Sequence, residues 1–131
     1  MTLHEPRVLV DTCGWIEWLT DGVLASHFEP YLADPAHLVV PSILQFELYR
    51  WIRRERGESL ALQIIAITHQ GQLMGIDARL AILAADLALQ YRLAMADALI
   101  YACAQSAGCE LISSDRHFCG LPGVVHFQKR A

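Results

Sequence analysis

Lysine is almost missing from this chain: Lys129 is the only one among 131 residues, and every other strong base is an arginine. Basic charge is short overall, with 10 Lys and Arg against 14 Asp and Glu and a formal charge of −4 at pH 7. That balance disfavours a surface that grips nucleic acid mainly through excess positive charge. The four cysteines (Cys13, Cys103, Cys109, Cys119) contain no C-x-x-C pair and no zinc-finger spacing. Reduced, mostly buried thiols are expected, not a disulfide framework or a zinc site. No run of 18 apolar residues suggests a helical membrane span. Glu5 and Pro6 precede the first apolar run with no basic-then-apolar signal pattern, so a cytosolic location is expected. Internal repeats, low-complexity tracts and interdomain linkers are also missing, and residues 1–131 read as one domain. A chain of this size buries roughly two-thirds of its unfolded surface.

Apolar residues are plentiful, at 54% of the chain. The excess over a core could cover a partner-binding or self-association surface. Their pattern switches repeatedly between strand and helix. Short buried strands are predicted over residues 7–10, 38–40, 73–76, 110–113 and 124–127, with Pro41 stopping the second. Helices are predicted over residues 14–20, 22–32, 42–56, 58–70, 77–91 and 96–107, with Gly57 and Gly108 ending two of them. Alternating strands and helices imply a mainly parallel sheet covered on both faces, with right-handed crossovers. The expected fold class is a three-layer α/β/α domain.

Four acids stand out against that plan. Asp11 directly follows Val8-Leu9-Val10, and Asp115 directly follows Leu111-Ile112-Ser113-Ser114. Both therefore sit at the carboxyl ends of predicted strands, the edge where open parallel sheets bind ligands. Glu47 lies within the third helix, flanked at 100° per residue by Ile43 on one side and Leu44 and Trp51 on the other. This is the apolar face, where an ionised carboxylate is costly unless paired or bound to metal. Asp97 opens the last helix. Taken singly, each acid has a plainer reading: an N-cap for Asp97, turn or cap residues for Asp11 and Asp115, and a salt bridge to Arg50 for Glu47. Taken together, an oxygen-only ligand set suits Mg²⁺ or Mn²⁺. Such an ion lowers the pKa of a bound water and stabilises charge on a phosphoryl oxygen, and hydrolysis of a phosphodiester needs both. Bound metal would also neutralise part of the negative charge, which weakens the argument against a nucleic-acid substrate. A phosphoacceptor receiver domain is likewise small, α/β and carboxylate-bearing, but it needs a lysine after a late strand. Here that place holds Asp115, Arg116 and His117.

Four segments, in order, carry a family resemblance: Val10-Asp11-Thr12-Cys13-Gly14-Trp15-Ile16, Pro41-Ser42-Ile43-Leu44-Gln45-Phe46-Glu47-Leu48, Ala96-Asp97-Ala98-Leu99-Ile100-Tyr101-Ala102 and Leu111-Ile112-Ser113-Ser114-Asp115-Arg116-His117-Phe118. The chain resembles a PIN domain over essentially its whole length, in particular the toxin nuclease of VapBC-type toxin–antitoxin pairs. The resemblance implies a metal-dependent endoribonuclease in which Asp11, Glu47, Asp97 and Asp115 bind Mg²⁺ or Mn²⁺ and carry catalysis. Ser113 falls on the family's hydroxyl residue in the last segment. Structured RNA of the tRNA or rRNA class is the implied substrate. The implied partners are a small VapB-like antitoxin that blocks the acidic cleft, often with an arginine, and a second copy in a homodimer. Two positions depart from the family's habit: Cys13 stands where serine or asparagine is frequent, and His117 where a further acid is frequent.

Other residues keep two readings each. Thr12 and Ser113 orient carboxylates or metal-bound waters, or cap their own backbone. Arg50, Arg53, Arg54 and Arg56 form a solvated helix end favoured by the helix dipole, or a positive rim for an RNA backbone. His117 is an exposed capping residue, or contacts the scissile phosphate or shuttles a proton. Trp15 and Trp18, one turn apart, pack in the core or serve an interface. The helix at residues 77–91 covers the sheet or offers a dimer seam. The rival function from another class is a non-catalytic PIN-like module that binds RNA or protein, which the presence of all four acids disfavours.

Overall fold

The computed structural model describes residues 7–129, so the amino-terminal stretch with Glu5 and Pro6 lies outside it. Strands β1 (Val8–Val10), β2 (Val39–Pro41), β3 (Gln72–Met74), β4 (Glu110–Ser113) and β5 (Val124–His126) alternate with helices α1 (Thr12–Leu19), α2 (Ala25–Leu32), α3 (Ser42–Arg56), α4 (Glu58–Thr68), α5 (Ala78–Tyr91) and α6 (Met95–Ala107). Each sequence-predicted element is present; α3 and β4 keep the expected bounds and the others have shifted ends. Helix α1 starts two residues early because Asp11 takes the cap position and accepts from the Thr12 N–H. Pro41 closes β2 as its last residue and hands the chain directly to α3. Strand β3 starts a residue early because the Gln72 N–H donates to Leu38 O at 2.8 Å. Helix α2 begins only at Ala25, after a turn in which Asp21 adopts φ 52°.

All paired strands are parallel. β1, β4 and β5 form one ladder and β2 and β3 another. A parallel bridge between Val8 and Leu38 joins their edges, giving the spatial order β3-β2-β1-β4-β5. The chain thus winds outward in both directions from the middle, and the order reverses between β1 and β4. In such a sheet the crevice above the carboxyl ends of the two central strands is the natural ligand position. Helices on both faces complete a three-layer α/β/α architecture.

The core runs through the sheet and into α3 and α6. Leu9, Val10, Leu111 and Ile112 from the central strands share one core cluster with Leu44, Leu48 and Ile52 from α3, all essentially inaccessible. Helix α6 is buried continuously from Ala98 to Ala104. Its small residues Ala98, Ala102 and Ala104 let neighbouring elements approach closely on several sides. Helix α6 therefore packs on β2 and β4, while α5 lies against α6 and buries only Leu80, Ala84 and Leu87. On the same helix Leu83, Ala88 and Tyr91 are partly buried against the core, while Ile82 and Leu89 are exposed. The sheet-covering role expected of residues 77–91 belongs chiefly to α6.

Gly14 shows how closely α1 is seated. A Cβ there would fall 2.7 Å from Phe28 and Val10 side-chain carbons, so any larger residue would push α1 away from β1 and α2. Lys129 donates to Glu17 Oε2 at 3.1 Å, and Glu17 Oε1 accepts from the Leu24 N–H at 3.1 Å. The chain's lone lysine thus ties its carboxyl-terminal end to the α1–α2 turn. Trp15 is buried and Trp18 half-buried, with rings edge to face at 6.4 Å. Packing is what this structure assigns them. The cysteines are all free. Only Cys103 is fully buried and Cys119 is exposed, so the expected burial holds for part of the set. No helix among the described residues is long and apolar enough to cross a membrane.

Candidate active site

Asp11 is the anchor of the acidic edge. Its backbone N–H still donates to Ile112 O at 2.9 Å, which fixes the residue at the point where β1 leaves the sheet. Its Oδ1 accepts from the Thr12 N–H and its Oδ2 from the Ser113 hydroxyl, both at 2.8 Å. The residue is only 4% exposed. Burial pushes its pKa from 3.8 up to about 6; the bonds from Ser113 and Thr12 pull the other way, and the charges of Asp97 and Asp115 add to the rise.

Hydroxyls carry the arrangement outward from there. The Thr12 hydroxyl donates to Glu47 Oε1 at 2.8 Å, linking the start of α1 to the middle of α3. Ser113 Oγ also accepts from the Asp115 N–H at 3.0 Å, so one buried hydroxyl joins the acids after β1 and β4. Both hydroxyls therefore orient carboxylate-bearing segments. Cys13 joins the same group, with Sγ 3.6 Å from Asp11 Oδ2 and 3.5 Å from Ser113 Oγ. The Ser114 N–H and hydroxyl both reach Cys13 Sγ, at 3.5 and 3.4 Å. Burial, then the charge of Asp11, pushes this thiol's pKa up to about 11, so it remains a neutral, weakly bonding filler. In the sequence, Cys13 stands out only as a departure from a family habit. Its place in the first turn of α1, facing back to β4, is a product of the fold and has no local signal.

The plainer readings of the acids divide. Asp115 does cap the short 3₁₀ turn at Arg116–Phe118, accepting from the His117 N–H at 2.9 Å. Asp97 is not the cap of α6: Ala94 holds that position, and Asp97 sits inside the first turn. Its carboxyl is held above the ordinary range by burial first and then by the charges of Asp115 and Glu47, with His117 opposing. Glu47 is half-buried, and Arg50 is turned instead over the Phe46 ring at 5.2 Å. Among the described residues, no lysine or arginine forms an ion pair with Asp11, Glu47, Asp97 or Asp115.

Among the described residues, His117 is the basic side chain that faces these acids. Its Nδ1 lies 3.0 Å from Asp115 Oδ1 and 3.9 Å from Asp97 Oδ2. Single ligand atoms from Asp97, Asp115 and His117 all fall within 4.8 Å of one another, a spacing that can hold a metal ion. Asp11 is joined to this group by charge and through the Ser113 hydroxyl, and Glu47 is joined by its charge on Asp97 and, through Thr12, to Asp11. The arginines are elsewhere. Arg53 pairs with Glu58 at 2.8 Å and Arg54 with Glu55 at 3.0 Å. With Arg50, Phe46 and Tyr49 they line a surface groove of about 710 Å³.

The PIN domain family profile matches residues 8–124, nearly the whole described chain. This chain belongs to the PIN domain family. Among solved structures it is similar to a toxin–antitoxin complex from Klebsiella pneumoniae, with 26% identity and a TM-score of 0.76 over 91% of this chain and 96% of that one. A DNA-bound VapBC from Salmonella typhimurium matches at 16% identity and a TM-score of 0.68, over 92% and 96% of the two chains. Mycobacterium tuberculosis VapC20, a sarcin–ricin loop cleaving toxin, matches at 16% identity and 0.65, over 78% and 84%. The latter two speak for the fold alone. No curated protein sequence matches significantly. For this PIN domain the donor set fits a divalent cation: carboxylates gather at the strand-order reversal, Asp11 and Asp97 are raised in pKa, and no lysine or arginine among the described residues neutralises them.

Proposed function

We propose that this protein is a VapC-type toxin, an endoribonuclease that depends on Mg²⁺ or Mn²⁺. The observation that carries the reading is the set of four acids at the carboxyl edge of β1 and β4, without a lysine or arginine partner among the described residues. Likeness to the Klebsiella pneumoniae toxin–antitoxin complex supports membership of such a pair. Asp97 and Asp115 offer ligand oxygens at the mouth of the site, while Asp11 and Glu47 supply the charge behind them. The bound cation supplies an activated water and stabilisation of charge on the scissile phosphate. Thr12 and Ser113 keep the carboxylates in fixed directions, so that little reorganisation accompanies reaction. Arg50, Arg53 and Arg54, beside Phe46, are the candidate contacts to the RNA backbone. Structured RNA of the tRNA or rRNA class is the proposed substrate. A VapB-like antitoxin is the proposed inhibitor, its arginine fork satisfying two carboxylate oxygens at once, and the toxin is proposed to act in the cytoplasm as a homodimer.

The test is cleavage of RNA by protein purified free of antitoxin. Activity should appear with Mg²⁺ or Mn²⁺, vanish with chelator, and fall by several orders of magnitude in a folded Asp97→Asn variant. Equal cleavage by wild type and variant would mark a contaminating nuclease. RNA binding without cleavage under any divalent ion would favour the non-catalytic alternative.

A further inference from the structure

The acidic edge contains a nitrogen. We propose that His117 Nδ1 is a third ligand atom beside Asp97 and Asp115, and that it makes the site favour manganese over magnesium. This rests on the metal-ion reading above and goes beyond it by assigning a donor and a preference. Neighbouring ligands of an octahedral ion lie about 3 Å apart when each is about 2.1 Å from the metal. Nδ1 is 3.0 Å from Asp115 Oδ1, close to that edge length, and 3.9 Å from Asp97 Oδ2. The three donors lie within 4.8 Å of one another, slightly wider than the about 4.2 Å that opposite ligands of one ion span, so a small side-chain adjustment brings all three onto a shared ion.

The ring is placed by the backbone. Phe118 is fully buried beside it, and the 3₁₀ turn Arg116–Phe118 is capped by Asp115 through the His117 N–H. The same carboxylate thus fixes the backbone of His117 and faces its side chain. Two carboxylates that both face an imidazole nitrogen attract either a proton or a cation to that point. Magnesium prefers a shell of oxygens and gives up its waters reluctantly, whereas manganese accepts imidazole nitrogen more readily. Replacing an oxygen donor by imidazole therefore costs magnesium more than manganese.

The experiment measures binding apart from catalysis, by titrating Mn²⁺ and Mg²⁺ separately into wild type, His117→Ala, His117→Asp and Asp97→Asn in a calorimeter. Pulsed electron paramagnetic resonance of bound Mn²⁺ reports nitrogen coupling. Wild type should show a ¹⁴N coupling and bind Mn²⁺ more tightly than Mg²⁺. His117→Ala should lose the coupling and roughly tenfold in Mn²⁺ affinity, with a smaller loss for Mg²⁺. His117→Asp should lose the coupling and move the preference toward Mg²⁺, which a purely structural role for the histidine would not produce. His117 is 57% exposed, so these variants are expected to fold; matching thermal melts with chelator check this. Unchanged Mn²⁺ affinity in His117→Ala with no ¹⁴N coupling in wild type, while Asp97→Asn loses binding, overturns the histidine ligand and leaves the metal-dependent reading standing. Failure of wild type to bind either ion overturns both.

Discussion

Two charged regions of this molecule are built on opposite plans. At the far end of α3, Arg53 and Arg54 are exposed and each has an acid within its reach, so charge is neutralised locally in water. At the carboxyl edge of β1 and β4, acids are buried or half-buried with other acids, and among the described residues only His117 pairs with them. The first plan is worth little to stability and costs little, because solvent screens both partners. The second raises the free energy of the fold until a cation or proton arrives. Where like charges are packed against a rigid hydroxyl frame, the fold has accepted strain that a ligand relieves. A solvated charge run carries no such implication.

The largest expected effect on stability concerns Asp11. Its rise from 3.8 to about 6 corresponds to about 3 kcal/mol of unfavourable ionisation in the metal-free fold. The folded-state value is the higher one, so metal-free protein should gain stability as pH falls through about 6, and the gain should cease near 3.8. Asp11→Asn removes the ionisation at nearly constant shape and should melt above wild type at pH 7.5 in chelator. A variant that melts lower there would mean that the bonds from Thr12 and Ser113 outweigh the charge strain.

Metal should act through the same edge. A cation that binds only the folded site at a hundred times its Kd adds about 2.7 kcal/mol. Thermal melts with excess Mg²⁺ or Mn²⁺ should rise for wild type and rise less for Asp97→Asn, which should itself melt above wild type in chelator. Equal gains for both proteins would leave Asp97 outside the binding group.

Ser113→Ala should cost about 2 kcal/mol, because it strips a partner from both Asp11 Oδ2 and the Asp115 N–H in a fully buried place. Urea unfolding measures this directly, and a cost below that of an ordinary surface substitution would show that the hydroxyl bridge is not a constraint. The smallest effect belongs to the other region. Arg53→Ala and Arg54→Ala should each leave stability in urea unfolding essentially unchanged, because solvent screens both of their ion pairs. In RNA binding, each should lower the slope of affinity against salt by about one if it contacts a phosphate. An unchanged slope would confine these arginines to solvation.

Periodicity and punctuation along the chain account for much of the fold. Helix α3 runs over Ser42–Arg56 and β4 over Glu110–Ser113 as the apolar pattern and the stops at Gly57 and Gly108 require. Those signals are local, since a helix ends where its next residue adopts a positive φ or its apolar face runs out. Element ends set by distant partners were not legible: Gln72 enters β3 because Leu38 O awaits its N–H, and α6 displaced α5 from the sheet through contacts on several sides.

The same division holds at the site. The sequence alone placed Asp11 and Asp115 after strands and Glu47 on an apolar helix face, because strand and helix periods set side-chain direction. Only the tertiary structure decided that Asp97 is no helix cap, that Thr12 reaches across to Glu47, that Cys13 fills the space beside Ser113, and that His117 turns its Nδ1 toward two carboxylates. These contacts depend on segments brought together from distant parts of the chain. Thr12 and Glu47 are 35 residues apart and Asp11 and Ser113 are 102 apart. No local pattern encodes such a meeting; the parallel register of β1 with β4 and the packing of α3 against α1 create it.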